Sequence, residues 1–436
     1  MKIYDSHKDS GIEWIGKIPE HWNVKKLKYV ASINDDVLSE RTEEDFEIEY
    51  VDISSIGSNV GIIKTETFAF KDAPSRARRL VNDGDIIVST VRTYLKAIAK
   101  IEKPKPNLVV STGFAVVRPR SVMSNYTGHL FYHENLLGEI ISRSVGVSYP
   151  AINSTEIGTI PIPLPPPTEQ TAIAKYLDRK TAEIDELIAD KKRLVELYEE
   201  EKTAIINQAV TKGINPDAPM KDSGIEWLGE IPRHWEVKRL KYLVAEKLKY
   251  GANESAEEEN RDNPRYIRIT DFGNDGKLKE DTFKSLPPEK ANEYLLSEGD
   301  VLFARSGATV GKTFQFKDYK GIACFAGYLI KATPNSYIIT SDYLYYFTRT
   351  GAYENWKSSI FNQATIQNIG ADKYALLEIS TPETIKEQQA IVHHIESECA
   401  RIDAKKSRTE KLIDLLTEYR TALISEVVTG KIKVSE

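Results

Sequence analysis

"DSGIEWIGKIPEHWNVKKLKYV", from Asp9 to Val30, returns near the middle of the chain as "DSGIEWLGEIPRHWEVKRLKYL", from Asp222 to Leu243. Sixteen of the 22 aligned positions are identical, at an offset of 213 residues. The repeat continues outward more faintly and in the same order. "EYVDISSIG" at Glu49 is echoed by "RYIRITDFG" at Arg265, and "VNDGDIIVSTVR" at Val81 by "LSEGDVLFARSG" at Leu296. "YPAINSTEIGTIPIPLP" at Tyr149 has a looser partner in "QATIQNIGADKYALLEIS" at Gln363. "EQTAIAKYLDRKTAEID" at Glu169 answers "EQQAIVHHIESECARID" at Glu387, and "VTKGI" at Val210 answers "VTGKI" at Val428. Offsets stay between 213 and 218 residues, so a whole unit has been duplicated, far longer than a solenoid repeat.

Each copy has two textures. The stretches 1–167 and 216–383 are rich in Val, Ile, Tyr, Phe and Thr, punctuated by Gly, Pro, Asn and Asp. "GDIIVSTV" and "GDVLFAR" read as a turn followed by a buried strand, which predicts mixed, β-rich domains. The stretches 168–215 and 384–436 differ: Thr168 to Lys212 and Thr384 to Thr429 contain neither Gly nor Pro. Ile173, Leu177, Ile184, Ile188, Val195, Tyr198, Ile205 and Ala209 recur at spacings of three, four or seven. Ile391, Ile395, Ile402, Ile413, Leu416, Leu423 and Val427 hold matching places in the second copy. Such a one-sided apolar seam predicts a long helix that needs a partner, and the other copy is the nearest one. Pro165, Pro166 and Pro167 bar an earlier start, and Gly213 and Gly430 suit helix ends. The expected fold class is α+β: two β-rich domains separated by a pair of long antiparallel helices, a coiled coil with an internal pseudo-twofold repeat. At 1.5 Å per residue the pair is at most about 65–70 Å long, roughly 20 base pairs of B-DNA.

Composition narrows the function. The chain has 436 residues, a hydrophobic fraction of 41%, a charged fraction of 28% and a net charge of -6. No apolar run approaches a membrane span, and "MKIYDSHKDSG" lacks the apolar stretch of a signal peptide, so a cytoplasmic location is expected. Cys324 and Cys399 stand in no ligand-like spacing and read as small buried hydrophobes. Net acidity does not advertise nucleic-acid binding, but binding needs only a local basic surface.

In the opening motif, Trp14 and Trp22 flank a turn containing Pro19, and Trp227, Pro232 and Trp235 repeat the arrangement. These read as anchors for the start of each domain rather than ligand contacts. His21 and His234 stand without companion ligands, so no metal is expected. "RSGATVGKT", Arg305 to Thr313, ends like a phosphate loop, but Ser306 occupies its first glycine position and "TFQF" reads as a strand. A nucleotide hydrolase using Gly311, Lys312 and Thr313 is therefore rejected. No dinucleotide, zinc-protease or hydrolase motif occurs, and the chain reads as non-catalytic.

The motif "DSGIEWIGKIPEHW" and its copy, "GDVLFARSGATVGK", "YPAINSTEIGTIPIPLPPPTEQTAIAKYLD" and the two long helical stretches together resemble the specificity subunit of type I restriction-modification enzymes, over nearly the whole chain. The resemblance implies two target recognition domains, each reading half of a split, asymmetric DNA site. It implies helices that set the unread gap and dock two methyltransferase subunits, which bind S-adenosylmethionine and methylate adenine. Restriction subunits would add ATP- and magnesium-dependent translocation and cleavage; no cofactor is expected in this chain. A coiled-coil adaptor that holds two identical partners without reading DNA is the alternative.

Candidate DNA contacts are Arg76, Arg78 and Arg79, then Thr90, Arg92, Tyr94 and Lys96 in the first domain. In the second they are Arg305, Ser306, Thr309 and Lys312, then Asn362, Gln363 and Thr365. Arg, Asn and Gln can read base edges, whereas Lys mostly meets phosphates. The loops near the repeated Gly-Asp pairs are favoured because they match between copies.

Overall fold

The computed structural model describes residues 3–57, 60–273, 276–307, 309–361 and 368–434. The chain forms two compact units, Met1–Lys192 with Glu410–Glu436, and Arg193–Thr409. Both long helices pass from one unit to the other. The first runs Pro167–Lys212 and the second Ile385–Val428. Pro167 is the first helical residue, where a missing N–H costs nothing.

The first unit opens with the hairpin His7–Asp9 and Lys17–Pro19. The strand Asn23–Lys26 then pairs with Pro161–Leu164, the last strand before the helix, so the domain's two ends are tied together. Between them lie two four-stranded sheets. One is built on the fully buried strand Ile86–Ser89, flanked by Ile98–Lys100 and Phe114–Pro119, with Ala31–Ile33 at its edge. The other holds Glu66–Ala69, Glu47–Val51, Leu108–Ser111 and Ala77–Leu80. The helices Ser124–Phe131 and Glu134–Ser142 pack Tyr126, Leu130, Leu136 and Ile140 into the main core.

The second unit repeats this plan. Met220–Asp222 pairs with Glu230–Pro232, and Glu236–Arg239 with Glu378–Thr381. The buried strand Val301–Ala304 sits between Thr313–Gln315 and Leu329–Ala332. Arg265–Ile267 runs parallel to Ala323–Phe325, as Glu47–Val51 does to Leu108–Ser111. Thr313 opens a strand, as the rejection of the phosphate loop required. Cys324 is fully buried, and burial pushes its thiol up to about 12.

The opening motif locks each domain to the long helix that follows it. Trp22 and Trp235 are both fully buried. Trp22 Nε1 donates to Glu169 at 3.0 Å, and Trp235 Nε1 to Glu387 at 2.8 Å. Each glutamate is the third residue of its helix, where a carboxylate also meets the positive end of the helix dipole. His21 lies 2.5 Å from Glu169 and His234 3.0 Å from Glu387. The next residue is a buried glutamine in both copies. Gln170 donates to Pro165 O and accepts from Met123 N. Gln388 donates to Ile338 O and accepts from Thr340 N.

Helix direction follows from bonds within each unit. The Tyr126 hydroxyl donates to Pro163 O, just before the first long helix, and to Val428 O at the end of the second. Tyr343 likewise bridges Ser380 O and Val210 O. In the second unit Lys202 pairs with Asp403 and Lys406 with Glu199, each at 2.7 Å. Ascending numbers on one helix meet descending numbers on the other, so within each unit the helices pack antiparallel. Along the seam, Ile173, Leu177, Ile184, Ile391, Ile395, Ile402 and Leu423 are buried, whereas Val195, Tyr198 and Leu416 are only half-buried. Near the end of the first helix the seam shifts. Ile206 and Val210 are buried and Ile205 only half-buried, because this end packs into a cluster with Trp235 and Leu240.

Candidate nucleic-acid interface

The repeated Gly-Asp pairs prove to be turn staples. Gly84 and Gly299 have φ of +86° and +91°. Asp85 accepts from Asn82 N of its own turn and from Arg118, while Asp300 accepts from Ser297 N and Thr333. Both aspartates are 1% exposed, so neither is a surface contact. The candidate loops begin at the other end of the strand that each pair starts, one four-residue strand away.

Those loops are set in the same register in both units. Thr90 N donates to Gly113 O and Ile152 N to Thr90 O; Val91 bridges Ala151. In the second unit Arg305 N donates to Tyr328 O and Ile369 N to Arg305 O; Ser306 bridges Asn368. Thr90 and Arg305 are therefore equivalent, as are Val91 and Ser306, and Arg92 and Gly307. The frame is conserved between the copies while the side chains it presents differ.

In the first unit, Arg92 is exposed, has φ of +51°, and lays its guanidinium 4.8 Å from the centre of the Tyr149 ring. Its N–H donates to Pro150 O. Lys96 also takes a left-handed backbone, at φ +50°, and lies 3.9 Å from Glu134. Tyr94 is 52% exposed. Thr90 spends its hydroxyl on Gly113 O, so it fixes the loop. Arg76 is brought to the same edge through Thr112 N, which donates to Arg76 O. Arg78 and Arg79 lie on the strand Ala77–Leu80. Arg78 bonds Ala77 O and stacks on Phe70. Arg79 is half-buried, its Nε has no hydrogen-bond partner, and burial lowers its pKa.

In the second unit Arg305 lies 4.9 Å from the centre of the Tyr250 ring. Its Nε is buried without a hydrogen-bond partner. Thr309 is exposed, Ser306 half-buried, and Lys312 donates to Phe272 O at 3.2 Å. Asn362, Gln363 and Thr365 lie outside the described residues. Both loops thus rest an arginine on an exposed tyrosine, Tyr149 from a following loop and Tyr250 from a preceding strand. Neither tyrosine was among the candidate contacts read from the sequence, because the two come from non-matching positions. Val145 and Val147, 81% and 102% exposed, accompany Tyr149. Among the described residues no cluster of His, Cys, Asp or Glu could hold a metal ion, and no helix is long and apolar enough to cross a membrane.

Residues 19–197 and 232–413 match the profile of the type I restriction modification DNA specificity domain. The chain belongs to this family, as a specificity subunit and not a catalytic one. The MjaVIII specificity subunit of Methanocaldococcus jannaschii, a type I restriction enzyme component, is 24% identical over 436 residues, spanning 96% of this chain and 94% of its own. The StySPI specificity subunit of Salmonella potsdam is 22% identical, over 96% and 90%. The fold is shared with a chain from a solved type I R-M system, at a TM-score of 0.74, 22% identity and coverage of 95% and 99%. It is also shared with the HsdS subunit of Thermoanaerobacter tengcongensis, at a TM-score of 0.56, 22% identity and coverage of 95% and 98%.

Proposed function

We propose that this chain selects a bipartite, asymmetric double-stranded DNA site, one half read by each β-rich domain, for a cytoplasmic type I complex. Its long helices dock two adenine methyltransferase subunits and set the unread gap, and restriction subunits join that assembly. S-adenosylmethionine, ATP and magnesium belong to those partners. The observation that carries the reading is the doubled loop register with unlike side chains, Thr90–Val91–Arg92 against Arg305–Ser306–Gly307. Two copies of one reader would demand a palindrome. A duplicated chain offers near-equivalent surfaces to identical partners while its readers diverge.

The test is to map adenine methylation in cells carrying this chain with its methyltransferase, then exchange residues 2–167 for another such domain. One half of a two-part motif should change and the other stay. Change in both halves, or methylation independent of this chain, refutes the reading. A complex that binds random and target duplexes equally would favour the adaptor alternative.

A further inference from the structure

A cleft of about 500 Å³ in the second unit runs alongside the loop that follows Val301–Ala304, lined by Thr309, Lys312, Arg349 and Lys357 among others. Among the described residues its charged lining is three cations, Lys312, Arg349 and Lys357, against one carboxylate, Glu354. Arg349 is exposed, with its guanidinium 5.6 Å from the centre of the Tyr345 ring. The Lys357 ammonium is 2.8 Å from Glu354 and its side chain is 13% exposed. Gly311, at φ +81°, is the glycine of the phosphate-loop look-alike. Its left-handed backbone favours glycine, and the stem of Lys357 lies against it where a Cβ would stand.

The first unit has no cation at the positions matching these three, although Lys96 stands at the place of Gly311. Ala304 N bonds Lys312 O as Ser89 N bonds Ala97 O, which pairs Lys312 with Ala97. Tyr343 and Tyr126 make equivalent pairs of bonds, and counting 6 and 14 residues onward pairs Arg349 with Tyr132 and Lys357 with Ile140. Ala97 and Ile140 are buried, and Tyr132 packs on the core. An apolar contact in one copy is thus a cationic, open cleft in the other.

We infer that this cleft binds a DNA backbone phosphodiester beside the loop Arg305–Lys312, so that the half-site read by the second unit is anchored by a phosphate contact that the residues matching Arg349 and Lys357 in the first unit, Tyr132 and Ile140, cannot make. The inference rests on the DNA-reading function proposed above. Cations on a groove flanking a reading loop position the duplex without adding sequence information. Each phosphate contact contributes about 0.9 to the slope of log affinity against log salt.

The experiment uses the full chain assembled with its methyltransferase partners, on a duplex carrying its mapped methylation motif and on a scrambled duplex. Affinity is measured between 50 and 200 mM salt. For the Arg349→Gln, Lys357→Gln double variant the slope should be shallower by about 0.9. Wild type would then lose about 3.5-fold more affinity than the variant over that range, equally on both duplexes, with the methylated motif unchanged. The exposed single variant Arg349→Gln should show about half the slope change, and Arg349→Lys with Lys357→Arg should restore the wild-type slope. An unaltered slope in Arg349→Gln and in the double variant overturns the inference. So does ATP binding to the full chain that the double variant abolishes, since the cleft would then serve a free nucleotide. A wild type that does not prefer its motif over the scrambled duplex removes the DNA-reading function itself, and this inference with it.

Discussion

Truncating Glu169 to Ala should be among the most damaging single changes at the domain–helix junction. Its carboxylate accepts from Trp22 Nε1 at 3.0 Å and from the Tyr4 hydroxyl at 2.7 Å, with His21 2.5 Å away. Trp22 is fully buried and the Glu169 side chain is 27% exposed, so water replaces the lost acceptor only in part. A buried donor left unsatisfied costs about 1–3 kcal/mol, and the lost bond from Tyr4 adds about 1 kcal/mol. The expected loss is about 3 kcal/mol for Glu169→Ala and about 1 kcal/mol for Glu169→Gln, which keeps an acceptor without the charge. Urea unfolding followed by circular dichroism measures both. A double-mutant cycle with Trp22→Phe isolates the shared bond from the lost ring volume and should return a coupling of about 1.5–2 kcal/mol. A coupling under about 0.5 kcal/mol would refute the view that this bond joins domain to helix. The pH dependence has a definite sign. Partial burial pushes the Glu169 carboxyl up, but hydrogen bonds from Tyr4, His21 and Trp22 outweigh it and hold the pKa below the usual range. On acidification the unfolded chain takes up this proton first. The contribution is therefore full above the ordinary glutamate pKa and is lost as pH falls through the lowered one.

Gly213 and Gly430 end equivalent helices but should differ when changed to Ala. Both have positive φ, +77° and +73°, which costs an L-residue about 1–2 kcal/mol. A Cβ on Gly213 would meet Trp235 at an ordinary 3.4 Å, whereas one on Gly430 would run into the Pro19 ring, with Cγ at 2.7 Å. Gly430→Ala should therefore be the more destabilising in urea unfolding, by about 1–2 kcal/mol; equal losses would contradict the packing. His133 caps the helix Glu134–Ser142 by accepting from Asn135 N through Nδ1, and burial lowers its pKa to about 4. The unfolded chain takes up this proton first, near the ordinary histidine pKa. Its contribution is therefore full above about pH 6.5 and is lost as pH falls towards 4. Compared with His133→Asn, wild type should lose about 2–3 kcal/mol more between pH 7 and 4.5; parallel pH profiles would refute the buried, neutral histidine.

The periodic and repeated features were legible in the sequence. Seam spacing located both long helices to within a residue at their starts, since a 3.6-residue period and the lack of Gly and Pro are properties of the chain itself. The Gly-Asp strands and the anchoring tryptophans were legible for the same reason. Non-local partners were not. No spacing connects Trp22 with Glu169, Arg92 with Tyr149, or Arg305 with Tyr250, because those pairs depend on how strands and loops are brought together. The helix pair Ser124–Phe131 and Glu134–Ser142 was also hidden, as each spans little more than two turns, shorter than the run over which helical periodicity stands out.

By itself, then, the sequence determined that one unit was built twice, that each copy joins a β-rich domain to a long helix, and that its Gly-Lys-Thr stretch runs into a strand. Only the tertiary structure decided that the two compact units cut across those helices. It also decided that the Gly-Asp pairs are buried staples, and that Lys312, Arg349 and Lys357 share a cleft. The physical reason is that hydrophobic periodicity is written locally in the chain, whereas hydrogen-bond partners and clustered charges depend on contacts between residues far apart in it.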